Sequence, residues 1–168
     1  FGPFIAGQLA DRVISTEKLL SISHLIGAVL VYMLGTSDTF MQFAILSGVY
    51  GFVYAPTIAL TNSLAFHHLP NRDRDFGKVR LWGTVGWIVA GIAVGQYLRI
   101  WSTPTGVPIE EITAAQDAGR VIAFSVSAAL GVVMGIYCLT LPHTPPSKDQ
   151  KNRFAWLETL REIRMQPL

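Results

Sequence analysis

Residues 121–141 read VIAFSVSAALGVVMGIYCLTL and contain no Asp, Glu, Lys or Arg. This length matches the roughly 20 apolar residues that a helix needs to cross the hydrocarbon core of a bilayer. Three further uncharged stretches cover residues 19–37, 39–70 and 81–98, and a shorter one covers residues 1–10. None of them alternates apolar and polar residues as the strands of a membrane barrel do. The sequence therefore predicts an all-α fold, a polytopic bundle of transmembrane helices.

The composition excludes several classes of protein. Charged residues make up 14% of the 168 residues and hydrophobic residues 51%, whereas a soluble domain carries about 25% charged residues. This disfavours a soluble enzyme, a disordered chain and a nucleic-acid-binding arm, and four long apolar runs disfavour the buried helices of a large soluble protein. The single Cys138 excludes an intrachain disulfide and a cysteine metal cluster. We expect no metal and no nucleic-acid partner, and a lipid bilayer around the chain.

The predicted domain organisation is a helical bundle followed by a polar tail. The bundle covers residues 1–146, and the tail, residues 147–168, ends in an amphipathic helix that either lies in the membrane interface or is a solvated linker. The bundle is predicted to have one partial and four complete spans, at about 1–10, 19–37, 40–66, 81–101 and 120–141.

The positions of the charges predict the topology. If the helices alternate in direction, 11 of the 13 basic residues lie on one side, which the positive-inside rule makes cytoplasmic. The opposite side holds residues 102–119, predicted to be a loop, with three acidic residues and no Lys or Arg. We therefore expect a multi-pass protein of the cytoplasmic membrane. The 11 basic residues are Arg12, Lys18, Arg72, Arg74, Lys78, Arg80, Lys148, Lys151, Arg153, Arg161 and Arg164.

The second complete span carries a stripe of hydroxyl groups. Its members fall within about 80° of one another around a helix, and Asn62 lies beside them. Such a stripe faces other helices or a water-filled cavity, so it predicts either hydrogen bonds between helices or a substrate site. Pro56 interrupts this span and predicts a bend. The hydroxyl residues are Ser47, Tyr50, Tyr54, Thr57 and Thr61.

The third complete span begins with a second candidate group. Arg80, Thr84 and Trp87 have the spacing i, i+4 and i+7, which places them on one helix face. A guanidinium, a hydroxyl and an indole suit a polar ligand that carries a ring. The alternative is that Arg80 extends to the membrane surface and Trp87 only packs.

His24 lies inside the first complete span, and all 11 carboxylates lie outside the uncharged stretches. An ionisable group within a membrane is a candidate for function. Since a proton-coupled carrier usually needs a buried acid, the acid is expected outside this chain, or His24 substitutes for it. The alternative is a neutral histidine that bonds a neighbouring helix.

Glycines recur within the spans, and two pairs have the spacing at which helices approach closely in lipid. These pairs, Gly91–Gly95 and Gly131–Gly135, predict a tight bundle.

Residues 7–12, GQLADR, resemble the loop signature that joins the second and third of twelve helices in the major facilitator superfamily. This resemblance implies an N-terminal half, from the end of helix 2 through helix 6, with residues 147–168 as the central cytoplasmic linker. It also implies that Gly7, Asp11 and Arg12 belong to a cytoplasmic gate. The chain would then be a fragment whose C-terminal half completes the transport path.

Three further segments resemble the nucleoside:proton symporters, and the sugar:proton symporters share part of the pattern. The segments are PTIALTNS at 56–63, VRLWGTVGW at 79–87 and LPHTPP at 141–146. The resemblance implies that Arg80 and Thr84 bind the substrate. It also implies that Trp87, where the family usually has Phe, stacks on the base.

Together these observations predict a secondary transporter that carries nucleosides with protons by alternating access and needs no cofactor besides the proton gradient. The expected substrate-binding residues are Arg80, Thr84, Trp87, Tyr54, Thr61 and Asn62. We expect no enzymatic activity, because the spans hold no His/Asp/Glu cluster. The alternatives are a sugar or drug carrier of the same superfamily and a non-transporting membrane receptor or scaffold.

Overall fold

The computed structural model describes residues 14–145, and all regular structure within this part is helical. Four helices follow one another: α1 (Thr16–Gly35), α2 (Phe40–His68), α3 (Arg72–Trp101) and α4 (Ile109–Cys138). Each is long and apolar enough to cross a membrane. The all-α prediction is confirmed. The partial span at 1–10, the gate motif of Gly7, Asp11 and Arg12, and the tail at 147–168 lie outside the described residues.

Short polar connections separate the first three helices. The hydroxyl of Thr39 accepts a hydrogen bond from the backbone N–H of Gln42 at 3.2 Å, and the side-chain oxygen of Asn71 accepts one from the N–H of Arg74 at 3.1 Å. These side chains satisfy N–H groups that have no partner within the first turn of a helix. The caps therefore fix where α2 and α3 begin.

Helices α3 and α4 begin well before the uncharged stretches that predicted them. Helix α3 starts at Arg72, and α4 starts at Ile109, so most of the predicted loop at 102–119 is helix. The loop prediction was wrong because a charged residue indicates the edge of the apolar region, not the end of a helix. Glu110 and Glu111 lie in the first turn of α4, where carboxylates are favoured by the helix dipole.

Helix α1 is the centre of the packing. It contacts α4 most extensively and α2 next, whereas α3 touches α2 and α4 only sparsely, and no residue of α3 is buried by the described part of the chain. Gly35, at the end of α1, lies against Phe124 in the middle of α4. Thr144, just after α4, contacts Glu17 at the start of α1. Helices α1 and α4 are therefore antiparallel.

One of the two predicted glycine pairs lies at this central contact. A methyl group at Gly131 would lie 3.1 Å from the Ala28 side chain, and one at Gly135 would lie 2.8 Å from the Leu25 side chain. By contrast, apart from the nearby backbone of α3 itself and the chain neighbours of each glycine, no atom of residues 14–145 would lie within 4 Å of a methyl group at Gly91 or Gly95. Only the pair on α4 serves close packing among the described helices.

The glycine contrast predicts different effects of the same substitution. Gly135→Ala should lower stability by about 1–3 kcal/mol through overpacking, offset in part by the gain of about 1 kcal/mol in helix propensity. Gly95→Ala, the matched control, should be neutral or stabilising. Thermal unfolding of the full-length protein in detergent measures both, and equal stabilities of the two variants would contradict the packing described above.

A polar network joins the ends of three helices at the basic end of the bundle. The Glu17 side chain, only 6% exposed, contacts Nδ1 of His143 at 2.7 Å through Oε1, and its Oε2 accepts the backbone N–H of Thr144 at 3.1 Å. The Thr144 hydroxyl in turn lies 2.9 Å from Nε2 of His68 at the end of α2. The network thus holds the segment after α4 against α1 and α2.

Removing the carboxylate should loosen this end of the bundle. Glu17→Ala leaves the buried N–H of Thr144 without its partner, which costs about 1–3 kcal/mol. Glu111→Ala, at an exposed position on α4, is the control and should change stability little. Limited proteolysis of the segment after Cys138, together with thermal unfolding, checks the prediction. Unchanged protection in Glu17→Ala would show that the network does not hold the segment.

Candidate functional site

A cavity of about 590 Å³ lies between α2 and α3, with single residues from α1 and α4 completing its wall. Residues from two separate sequence patterns meet in it, the hydroxyl stripe of α2 and the arginine face of α3. All six residues that the sequence predicted for substrate binding line it, together with the predicted proton-coupling candidate: Arg80, Thr84, Trp87, Tyr54, Thr61, Asn62 and His24.

The α3 side of the cavity offers hydrogen-bond donors and an aromatic surface. The guanidinium of Arg80 is exposed and forms no ion pair or hydrogen bond with any residue from 14 to 145, whereas Arg74 and Lys78 both pair with Asp75. Trp87 is 79% exposed, so its ring is free to stack. This side can contact a planar polar solute through both charge and ring.

The α2 side of the cavity offers hydrogen-bond acceptors. The hydroxyl of Thr57 donates to the Tyr54 carbonyl at 2.7 Å, and that of Thr61 donates to the Thr57 carbonyl at 2.7 Å. On α3, the Thr84 hydroxyl likewise donates to the Arg80 carbonyl, at 3.1 Å. Each hydroxyl proton is thus held by its own helix, not by a neighbour. Thr57 is buried, whereas Thr61 and Thr84 are exposed, so the lone pairs of their oxygens remain available to a solute.

An aromatic group forms the wall between this cavity and a second one of about 520 Å³. The rings of Tyr50 and Tyr54 stack with their centroids 5.1 Å apart, and the His24 ring meets Tyr54 edge-on at 5.8 Å. Gly27 of α1 lies beside this pair, and a methyl group there would lie 3.6 Å from the Tyr50 ring, an ordinary van der Waals distance. The two cavities share His24, Tyr54, Gly83 and Met134.

Sequence reasoning missed the apolar part of the wall. Phe76, Val79 and Met134 line the cavity but carry no polar group that would have drawn attention. Phe76 stands four residues before Arg80, so the helix-face spacing that grouped Arg80 with Thr84 could have found it. Met134 comes from α4, and only the tertiary packing places it here.

The described residues that line the cavity include no carboxylate. Nor do residues 14–145 contain a cluster of three His, Cys, Asp or Glu side chains that could hold a metal ion. The charge inside the described wall is therefore that of Arg80, and its imidazole is that of His24.

Comparison with known proteins identifies the family. The family model described as Nucleoside H⁺ symporter matches residues 1–165. The chain belongs to the nucleoside H⁺ symporter family. This confirms the resemblance to nucleoside:proton symporters of the major facilitator superfamily that its sequence motifs indicated.

Curated relatives and a solved structure agree with this membership. The putative nucleoside transporter YegT of Escherichia coli K12 is 36% identical over 153 residues, covering 89% of this chain and 32% of the relative. The nucleoside permease NupG of the same organism is 28% identical over 164 residues, covering 95% of this chain and 35% of the relative. The crystal structure of a NupG mutant matches with a TM-score of 0.75 and 24% identity, over 98% of this chain and 39% of that one.

The chain spans about a third of the length of these relatives. The family and the four apolar helices establish an integral, multi-pass membrane protein. The relatives are named as transporters or permeases, and the structural match shows the same helical fold.

Cysteine labelling can test whether water reaches the cavity. Thr84 lines the cavity, whereas Val85, at nearly the same depth, points about 100° away around α3 and lines no part of it. In a Cys138→Ala background, Thr84→Cys should react with a membrane-impermeant thiol reagent at least about tenfold faster than Val85→Cys, because thiolate chemistry requires water. Equal rates for the two variants would contradict a water-filled cavity at this face.

Proposed function

We propose that this chain forms the N-terminal bundle of a nucleoside:proton symporter that works by alternating access. A second bundle would complete the transport path, with the substrate near the midplane between the two. The observation that carries the proposal is the cavity in which Arg80, Thr84 and Trp87 of α3 face Tyr54, Thr61 and Asn62 of α2. Nothing in this scheme requires a cofactor or a covalent step, so no catalytic residue is assigned.

Each group has a distinct role in the proposed site. The Arg80 guanidinium presents a planar set of donors to the oxygen atoms of a base or sugar. The indole of Trp87 stacks on the base, as flat aromatic surfaces do. Thr84, Thr61 and Asn62 supply oxygen atoms that can accept from the hydroxyl or N–H groups of a nucleoside.

The proposed orientation places the basic end in the cytoplasm. Lys18, Arg72, Arg74 and Lys78 lie where α1 begins and where α3 begins, and the positive-inside rule puts such residues on the cytoplasmic side of the inner membrane. The start of α4, with Glu110 and Glu111, would then face the opposite side. The gate motif of Gly7, Asp11 and Arg12 and the linker at 147–168 would be cytoplasmic.

Proton coupling requires an ionisable group that changes its charge during the cycle. Because no carboxylate lines the described part of the cavity, we propose that the coupling acid lies outside residues 14–145, with His24 as the alternative. The proton gradient would be the only energy source.

Uptake by the full-length protein in proteoliposomes tests the proposed function. An inward proton gradient should drive accumulation of labelled uridine, and Arg80→Ala should lower it at least about tenfold through loss of charged hydrogen bonds worth about 1.5–3 kcal/mol. Arg99→Ala, near the end of the same helix, removes a charge outside the cavity and should transport normally.

Other outcomes would point to the alternative functions. Uptake of labelled sugar that nucleosides do not inhibit would indicate a sugar carrier of the same fold. Saturable uridine binding without accumulation would indicate a receptor or scaffold. Normal uridine uptake by Arg80→Ala would show that the substrate site lies elsewhere.

A further inference from the structure

We propose that His24 is a substrate-positioning residue whose Nε2 atom accepts a hydrogen bond from the nucleoside. This inference rests on the proposed function and adds a contact from α1, whereas the substrate-binding residues proposed above all lie on α2 and α3. It differs from a proton-coupling role, since it assigns to His24 a fixed tautomer and a contact with the transported solute.

The hydrogen bond on the opposite side of the ring determines the tautomer. Nδ1 of His24 lies 2.9 Å from the Leu20 carbonyl oxygen, one turn earlier on α1. A carbonyl oxygen only accepts hydrogen bonds, so Nδ1 carries the proton in this contact. In the neutral ring Nε2 then holds a lone pair and acts as an acceptor.

Nε2 lies where a solute can reach it. It has no hydrogen-bond partner among residues 14–145. The rings of His24 and Tyr54 meet in an edge arrangement, with their centroids 5.8 Å apart. His24 lines the 590 Å³ cavity, the adjacent 520 Å³ cavity and a third of about 300 Å³. His24 is thus the residue of α1 that lines all three cavities, and Met134 of α4 also lines all three.

An acceptor on α1 would add to the acceptor oxygens that Thr61 and Asn62 of α2 and Thr84 of α3 bring to the cavity. Arg80 can only donate, so it cannot take the protons of a ribose or the N–H of a base. A nucleoside carries both hydroxyl and N–H groups, and a buried donor left without a partner costs more free energy than a hydrogen bond contributes on balance. An acceptor on α1, a different helix from Arg80, would fix the orientation of a solute that the guanidinium and indole already hold.

Two amide substitutions separate this role from a merely structural one. Asn places its amide nitrogen roughly where Nδ1 lies, so His24→Asn keeps a donor for the Leu20 carbonyl and removes the group at Nε2. Gln extends to the position of Nε2, so His24→Gln keeps a polar acceptor there. A structural role predicts that Asn is the better substitute, whereas substrate contact predicts that Gln is.

Uridine exchange in the full-length protein without a proton gradient is the measurement, because exchange does not depend on coupling. His24→Asn should raise the half-saturating uridine concentration about tenfold, the effect of one hydrogen bond, and leave thermal stability unchanged. His24→Gln should stay within about threefold of the wild type. Wild-type affinity in His24→Asn, or an equal loss in both variants, would overturn the assignment.

Uridine analogues that each lack one donor identify the atom that Nε2 contacts. The analogues are 2′-deoxyuridine, 3′-deoxyuridine, 5′-deoxyuridine and N3-methyluridine, which together cover the four donors of uridine. The analogue that lacks the donor to Nε2 should bind to His24→Asn as tightly as it binds to the wild type, because neither protein can form that hydrogen bond with it. An additional tenfold loss with every analogue would overturn a direct contact. Absence of uridine exchange in the wild-type protein would overturn both this role and the proposed function, whereas normal exchange with unaffected variants would overturn this role alone.

Discussion

Lipid offers no hydrogen-bond partners, so a chain that crosses a bilayer must bond its backbone within each helix. The side chains then divide into those that lipid accepts and those that must face a neighbour or water. In this protein a stripe of hydroxyl residues shares one face of α2, and Arg80, Thr84 and Trp87 share one face of α3. The cavity between these two helices is the place where both polar faces meet.

Packing around α1 explains why that cavity remains open. Close contact with α4 involves the small residues Gly35, Ala28, Gly131 and Gly135, because helices in lipid associate through close backbone approach and not through apolar burial. Helix α3 makes few contacts with the rest of the described chain and has no buried residue. Helices α1 and α4 therefore form a firmly packed pair, whereas α3, whose polar face borders the cavity, makes few contacts with the other described helices.

The hydrogen bonds inside the cavity follow one pattern. Thr57, Thr61 and Thr84 each donate to a carbonyl of their own helix, and the Nδ1 group of His24 lies on a carbonyl of α1. These four donors are thus occupied locally, while the hydroxyl oxygens of Thr61 and Thr84 and the Nε2 atom of His24 are left as acceptors. Arg80 supplies the complementary donors, so the described wall can satisfy both kinds of group that a nucleoside carries.

The sequence by itself determined the all-helical membrane fold, since run length and absence of charge suffice for that conclusion. It also determined which residues share a face on α2 and on α3, because helical spacing is a local property. The tertiary structure alone decided that these two faces border the same cavity, that Met134 and His24 join them, and that Glu17 meets His143 and Thr144. Those contacts join residues far apart in the chain, and no local pattern of charge or spacing encodes which helices become neighbours. Helix ends also required the structure, because the charged first turns of α3 and α4 remain helical beyond the apolar region that the sequence reveals.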